Sequence, residues 1–346
     1  MGPMSEDRLK SESRDPNPVR PDRKSEEGFE PLAEIITGEL LAGGPSGDRP
    51  ATADGARGAA ELIAAAVLDR FVVRPRPAER VRDHVSRGAP ADSGVILEVR
   101  DLSVVYGTKT AVDGISLQMT RGEIFGLLGP NGAGKTSTLS AIEGLIKPRS
   151  GAVFLDGVDI RLHPSQAKAK LGVQLQATSF QSQLTIKQIV RLYAGLYGIR
   201  LTDPEITAGL HEIGLEAEAS RPFKQLSGGQ QQRLSLYVAV GHDPALLLLD
   251  EPTAGLDPQS RRQLWGRIED IRQRGGSILL TTHSMEEAEA VCDRVAIIDH
   301  GTLLTCETPQ NLIAKHRDDP DVRKVAHGEV TLEDVFIGLT GSEIRE

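Results

Sequence analysis

The sequence is poor in cysteine: Cys292 and Cys306 are the two present in 346 residues. They lack metal-ligand spacing and suit a reducing compartment better than a disulfide framework. Long apolar runs are missing as well. No stretch of about eighteen apolar residues occurs, so no membrane-spanning helix is expected, and the N-terminus carries no apolar signal core. The most apolar N-terminal stretch, "AAELIAAAVLDRFVV", is interrupted by Glu61, Asp69 and Arg70. The eight histidines form no HExxH-like metal cluster. No long basic stripe is present and the net charge is −9, which argues against nucleic acid as a partner. The expectation is a soluble, cytoplasmic chain, long enough for one large domain or two small ones.

Residues 1–95 differ in character from the rest. "SEDRLKSESRDPNPVRPDRKSEEGFEP" mixes both charges with proline and serine and has no apolar period. Such a segment buries too little surface to offset its ordering entropy, so a disordered extension is expected. Two stretches, "LAEIITGELL" and "AAELIAAAVLDRFVV", could form short amphipathic helices within it. A docking arm for a partner, or a start placed too far upstream, are the other readings. From Val95 onward, β-branched and leucine-rich runs alternate with turn residues, and "SGAVFLDGVDI" reads as a strand pair turning at Asp156-Gly157. Residues 184–240 are mostly helical in pattern, and the buried-type strands "ALLLLD" and "SILLTT" are each followed by a turn and a helix. This alternation predicts a mostly parallel sheet with helices on its faces.

"GPNGAGKTS", Gly129 to Ser137, fits G-x-x-x-x-G-K-[ST], follows the strand-like "EIFGLL" and opens a helical pattern. Gly129, Asn131, Gly132, Gly134, Lys135, Thr136 and Ser137 are therefore candidate phosphate-site residues. The glycines let backbone N–H groups curl around phosphate oxygens, Lys135 reaches the β and γ phosphates, and Thr136 holds Mg²⁺. "LLLLDEP" delivers Asp250 to the end of a buried strand, where it can hold the Mg²⁺ shell. Glu251, next to it, is placed to polarise a water for attack on the γ phosphate. "SILLTTHS" brings His283 to another strand end, with Ser284 and Glu287 spaced as a capping box for the next helix. That histidine is either a capping-region residue or a γ-phosphate donor. In "FKQLSGGQQQRLSL", Ser227 reads as the N-cap of a helix led by two glycines. Glycines there weaken the helix but leave bare amides facing an anion.

Taken in order, "GPNGAGKTS", "LSGGQ", "LLLLDEP", "GLDP" and "TTH" resemble the motif set of the ATP-binding cassette (ABC) ATPases, over about residues 96–310. The resemblance implies an α/β fold: a P-loop NTPase, an ABC-type cassette with a RecA-like core, an antiparallel β subdomain and a helical subdomain at about 177–243. It also implies that two cassettes pack head to tail around ATP and Mg²⁺, a homodimer being the expected form. Ser227, Gly229 and Gln230 would then face the γ phosphate bound by the Lys135 loop of the other cassette. Tyr106 would stack on adenine, the alternative being an ordinary strand-end tyrosine. Gln176 would contact Mg²⁺ or water, although Gln174 competes for that assignment. Asp257 in "GLDP" would line the dimer interface, Glu251 would serve as general base, and His283 would hold the γ phosphate.

One cassette without a membrane span needs a separate polytopic membrane subunit, expected to dock beside residues 177–200. In the tail, 311–346, "TLEDVFIGLTG" predicts an amphipathic helix over 331–340, with a capping box at Thr331 and Asp334 and a stop at Gly341. This ending, with "AEAVCDRVAIIDHGTLL", resembles exporter ATPases of the daunorubicin-resistance type, which implies multidrug or related export at the cytoplasmic face of the cell membrane. Two features depart from that pattern: the short segment before the tail helix and the extension before Val95. A soluble ABC ATPase acting as a mechanical switch is the alternative. A module that binds ATP without hydrolysing it is a third reading, opposed by Glu251 and His283.

Overall fold

The computed structural model of the chain describes residues 94–174 and 180–341. The extension expected to be disordered lies, but for its last two residues, outside them, and so does Gln176. A four-stranded antiparallel sheet has the order β2-β1-β4-β5, formed by β1 (Val95–Tyr106), β2 (Lys109–Thr120), β4 (Ser150–Leu155) and β5 (Val158–Asp159). Asp156 and Gly157 join β4 to β5 with φ of 49° and 74°, the two positive values a tight hairpin turn demands.

A six-stranded sheet has the order β10-β9-β3-β8-β7-β6. Its members are β3 (Ile124–Leu128), β6 (Leu171–Val173), β7 (Leu246–Asp250), β8 (Ser277–Thr282), β9 (Arg294–Asp299) and β10 (Thr302–Glu307). All neighbours run parallel except β10, which returns antiparallel along β9. Every residue of β3 and β8 and the four leucines of β7 are buried. Continuous burial, in place of alternation, marks strands covered on both faces. Because β3, β8 and β7 are parallel neighbours, the loops after all three open on one edge, where α/β sheets place their ligands.

The helices follow from the same periodicity. The helix α1 (Lys135–Ile142) leaves β3, and α2 (Pro164–Lys168) precedes β6. Helices α3 (Ile186–Leu196), α4 (Asp203–Glu212) and the first part of α5 (Gly228–Val240) share an apolar cluster that includes Phe180, Ile189, Tyr193, Leu210, Phe223 and Leu234. On α5, Leu234 belongs to this cluster, whereas Leu236 and Ala239 pack with Leu247 and Leu249 of the sheet. That helix therefore stitches the helical layer to the strand bearing Asp250. At the C-terminal end of α3, the Tyr197 ring stacks on His242 at 3.5 Å and 8°.

Beyond β7, α6 (Pro258–Gln273) and α7 (Met285–Val291) cover the sheet. The tail adds α8 (Pro309–His316), α9 (Pro320–Val325) and α10 (Leu332–Thr340), whose Leu312, Val322, Leu332, Val335 and Phe336 pack into the same cluster as Met285 and Ala288 of α7. Thr331 and Asp334 cap α10 reciprocally, and Gly341 closes it at φ 63°.

One expected cap forms only in part. Ser284 Oγ accepts from Glu287 N at 3.3 Å, but the Glu287 carboxylate does not return to its own helix start. It is fully buried and accepts a hydrogen bond from Trp265 Nε1 at 3.2 Å. A tertiary donor outcompetes the local backbone amide there.

Candidate nucleotide site

The loop after β3 is shaped by two glycines that tolerate no side chain. A Cβ on Gly129 would lie 2.4 Å from the Ile298 carbonyl oxygen, and one on Gly134 would lie 2.5 Å from that of Ala111. Gly134 also takes φ 107°, which L side chains rarely adopt. Gly132, by contrast, faces open space at φ 84°, so this turn leaves a cradle that a Cβ would begin to fill. Helix α1 starts at Lys135 with no side-chain cap and no acidic residue in its first turn. Its leading N–H groups are therefore left for an anion. Lys135 is almost wholly buried, and its Nζ donates to the carbonyls of Gly129 at 2.7 Å and Pro130 at 3.2 Å. Burial lowers its pKa, and the Glu251 and Asp250 carboxylates oppose that shift. Thr136 is exposed at the mouth of the loop and Ser137 is half-buried.

The ends of β7 and β8 complete this edge. Asp250 and Thr281 are register partners, and Thr281 Oγ1 donates to Asp250 Oδ1 at 2.5 Å. Asp250 Oδ2 has no partner among the described residues, which leaves an acceptor for a cation shell. Glu251 N donates to both the carbonyl oxygen and Oγ1 of Thr281, at 3.2 and 3.0 Å. This anchoring holds Glu251 at φ 46°, a left-handed conformation uncommon for a glutamate. Its Oε1 stands 3.8 Å from Lys135 Nζ and 3.5 Å from His283 Nδ1. The His283 Nδ1 atom is buried without a hydrogen-bond partner among the described residues.

Ser227, Gly229, Gln230 and Asp257 gather elsewhere. Ser227 caps α5 in a reciprocal pair with Gln230 at 2.9 and 3.3 Å. Asp257 caps α6, accepting from Gln259 N, Ser260 N and Ser260 Oγ at 3.0, 3.0 and 2.6 Å. The Ser260 bonds hold its pKa below the usual carboxylate range. Ser227, Gly229, Gln230 and Ser260 line one cavity with Arg233 and Arg267. A Cβ on Gly228 would meet nothing within 4 Å, so nothing in this chain requires glycine there. Among the described residues, no hydrogen bond or ion pair joins this group to the Lys135 loop.

Residues 112–254 match the family model described as "ABC transporter". The Nod factor export ATP-binding protein I of Ralstonia nicotianae is 40% identical over 240 residues, covering 69% of this chain and 74% of that protein. The linearmycin resistance ATP-binding protein LnrL of Bacillus subtilis is 35% identical over 235 residues, covering 67% of this chain and 76% of that protein. The chain belongs to the ABC transporter ATP-binding proteins. It is also 36% identical over 258 residues to the Escherichia coli protein named "Probable multidrug ABC transporter ATP-binding protein YbhF", covering 74% of this chain. It spans 43% of YbhF's length. Among solved structures, an ATP binding subunit of an ABC transporter superposes with a TM-score of 0.61 at 29% identity, covering 70% of this chain and 99% of the other.

Within this ABC cassette, then, Lys135, Asp250, Glu251 and His283 converge on one edge, while Ser227, Gly229, Gln230 and Asp257 form a second, separate group. Tyr106 ends β1 half exposed, at the tip of the hairpin whose Ala111 abuts Gly134. Gln174 lies beside β7, its N donating to Leu248 O at 2.9 Å and its Oε1 buried without a partner among the described residues. Thr281 escaped the sequence reading although it orients both Asp250 and Glu251. Its signal was present in "TTH", where a threonine two residues before the histidine points to the neighbouring strand end. Gly301, in the turn between β9 and β10, was missed as well. It donates to Ala133 O at 2.9 Å and so props the phosphate loop from behind.

Proposed function

We propose that this chain is the Mg²⁺-dependent, ATP-hydrolysing subunit of an ABC exporter. It would act as a pair of cassettes, most simply a homodimer, at the cytoplasmic membrane face beneath a separate polytopic subunit. The observation that carries the reading is Glu251, whose carboxylate faces Lys135 Nζ at 3.8 Å and His283 Nδ1 at 3.5 Å. That spacing supports reading Glu251 as the base for a water attacking a phosphate held by the loop. The residues fit each role. Gly132, Gly134, Asn131 and the first-turn amides of α1, including those of Thr136 and Ser137, bind and orient phosphate oxygens, and Lys135 neutralises them. Gly129 lets the loop close against Ile298, and Tyr106 stacks on adenine. Glu251 takes the proton of the attacking water, and His283 donates to the γ phosphate.

Mg²⁺, when bound, supplies charge neutralisation across the β and γ phosphates. Thr136, Asp250 and Gln176 would hold it, the unpartnered Oδ2 of Asp250 being the acceptor this fold leaves for that purpose. Ser227, Gly229, Gln230 and Asp257 complete the site of the other cassette. This role supplies a reason for glycine at 228, where a Cβ would meet nothing within this chain. Support for export comes from relatives named for Nod factor export, linearmycin resistance and multidrug transport. Among the described residues no helix is long and apolar enough to cross a membrane. A separate membrane partner, docking beside residues 177–200, is part of this reading.

The test is recovery of tagged Glu251→Gln protein from detergent-solubilised membranes with ATP and Mg²⁺, read by mass spectrometry. A polytopic membrane protein in the ATP-dependent complex is the expected result. Recovery of soluble assemblies alone would overturn the exporter reading.

A further inference from the structure

The buried strand β8 ends in two threonines where its preceding residues are apolar, in "SILLTT". Both are buried, Thr281 at 0% exposure and Thr282 at 2%, and their hydroxyls serve different neighbours. Thr281 faces Asp250 in register across β7. Its Oγ1 donates to Asp250 Oδ1 at 2.5 Å and accepts from Glu251 N at 3.0 Å. The Thr281 carbonyl accepts from the same N–H at 3.2 Å. Thr282 Oγ1 instead accepts from Ser284 N at 2.9 Å, which closes the turn around His283. The strand end thus holds the Asp250–Glu251 pair on one side and the His283 turn on the other.

Chemistry fixes the polarity of the Thr281 bridge. An amide N–H only donates and a carboxylate only accepts, so the hydroxyl between them turns a lone pair to Glu251 and its proton to Asp250. One oxygen of Asp250 is thereby committed, and the other is left to meet a cation. The same hydroxyl, with the carbonyl of its own residue, grips the amide of Glu251, which stands at φ 46°. A non-glycine residue in that region persists only where its surroundings hold it. Valine would fill the same space and suit a buried strand equally well. What threonine adds is therefore the hydroxyl, whose burial is tolerable because both of its bonds are made. We propose that Thr281 is a positioning residue that sets the metal-facing carboxylate and the hydrolytic base as one unit, by holding Asp250 Oδ1 and the Glu251 N–H through a single hydroxyl. The inference rests on the hydrolytic reading of the site. Cation affinity and turnover then depend on one buried group that belongs to neither Asp250 nor Glu251.

The experiment compares full-length wild type with Thr281→Val, Thr281→Ser and Thr281→Ala. For each, kcat and KM for Mg²⁺-ATP are measured, with the affinity for a fluorescent ATP analogue in EDTA. Mn²⁺ affinity is read separately by electron paramagnetic resonance on protein saturated with a non-hydrolysable ATP analogue. Thr281→Val should lose roughly tenfold or more in both kcat and Mn²⁺ affinity, with metal-free nucleotide binding within about twofold of wild type. Thr281→Ser, which keeps the hydroxyl, should restore most of both. Should Thr281→Val not fold, the pair Thr281→Ser and Thr281→Ala differs by the same oxygen and should show the same split. Wild-type kcat and Mn²⁺ affinity in the variants lacking the hydroxyl would overturn the proposal. So would a serine variant as impaired as the valine one, since the methyl group and not the hydroxyl would then matter. A wild type without turnover would sink the hydrolytic reading, and the Mn²⁺ affinities would still decide the role of Thr281: weakened without the hydroxyl they uphold it, unchanged they refute it.

Discussion

At the scale of single residues, steric and ionic constraints make direct forecasts. Gly134→Ala drives a Cβ to 2.5 Å from the Ala111 carbonyl at φ 107°, and backbone there cannot yield as a flexible side chain would. ATP-analogue binding should fall by more than tenfold while the fold survives, as judged by circular dichroism and equilibrium titration. Glu251→Gln keeps the size of the side chain and removes the base. Single-turnover hydrolysis should slow by roughly 10²–10⁴-fold with binding intact. His242 offers a pH forecast. Its burial against Tyr197 depresses its pKa from 6.5 to about 4, with the Leu171 carbonyl and Asp243 opposing the shift. Below pH 6.5 the unfolded chain takes up the proton that the folded chain refuses, so stability must fall as pH drops toward 4. In His242→Gln the loss between pH 7 and pH 5 should shrink, as read from urea midpoints.

At the scale of elements, the tail is held by side chains that the sequence displays at helical spacing. Leu332, Val335 and Phe336 of α10 are at most 1% exposed, and Phe336→Ala should cost about 3–5 kcal/mol. The check is a urea titration, with turnover falling only where folding does. The ends of α10 coincide with the Thr331–Asp334 box and Gly341 because capping is local chemistry, carried by residues three apart. The same reasoning misled at α7, where Ser284 and Glu287 have the spacing of a box. There Trp265, twenty-two positions upstream, claims the carboxylate, and no local pattern announces a donor so distant. The phosphate loop was legible for the opposite reason: glycine spacing, lysine and a preceding buried strand compress a tertiary site into nine residues. Thr281 and Gly301 were illegible because their roles exist only through strand order, which sets β8 beside β7 and the β9–β10 turn against the loop. Gln176 falls outside the described residues, so the choice between it and Gln174 rests on the family pattern.

At the scale of the molecule, one chain carries two unlike groups that do not meet. The Lys135–Glu251–His283 edge holds the ionisable machinery, and the Ser227–Asp257 group presents two helix starts with capping side chains. Arg233 and Arg267 flank the second group without a carboxylate among the residues that line its cavity; burial and then Arg233 lower the pKa of Arg267, and Asp270 opposes that shift. Such a surface favours a negatively charged visitor. In Glu251→Gln protein, ATP should convert monomer to dimer in light-scattering chromatography, and Ser227→Arg should prevent it. The open side of Gly228 then has a kinetic meaning. If each catalytic centre needs the glycine end of another molecule, isolated cassettes are not slow enzymes but unfinished ones. Specific activity should therefore rise with protein concentration and vanish on dilution, with the rate itself approaching second order in chain where dimers are scarce.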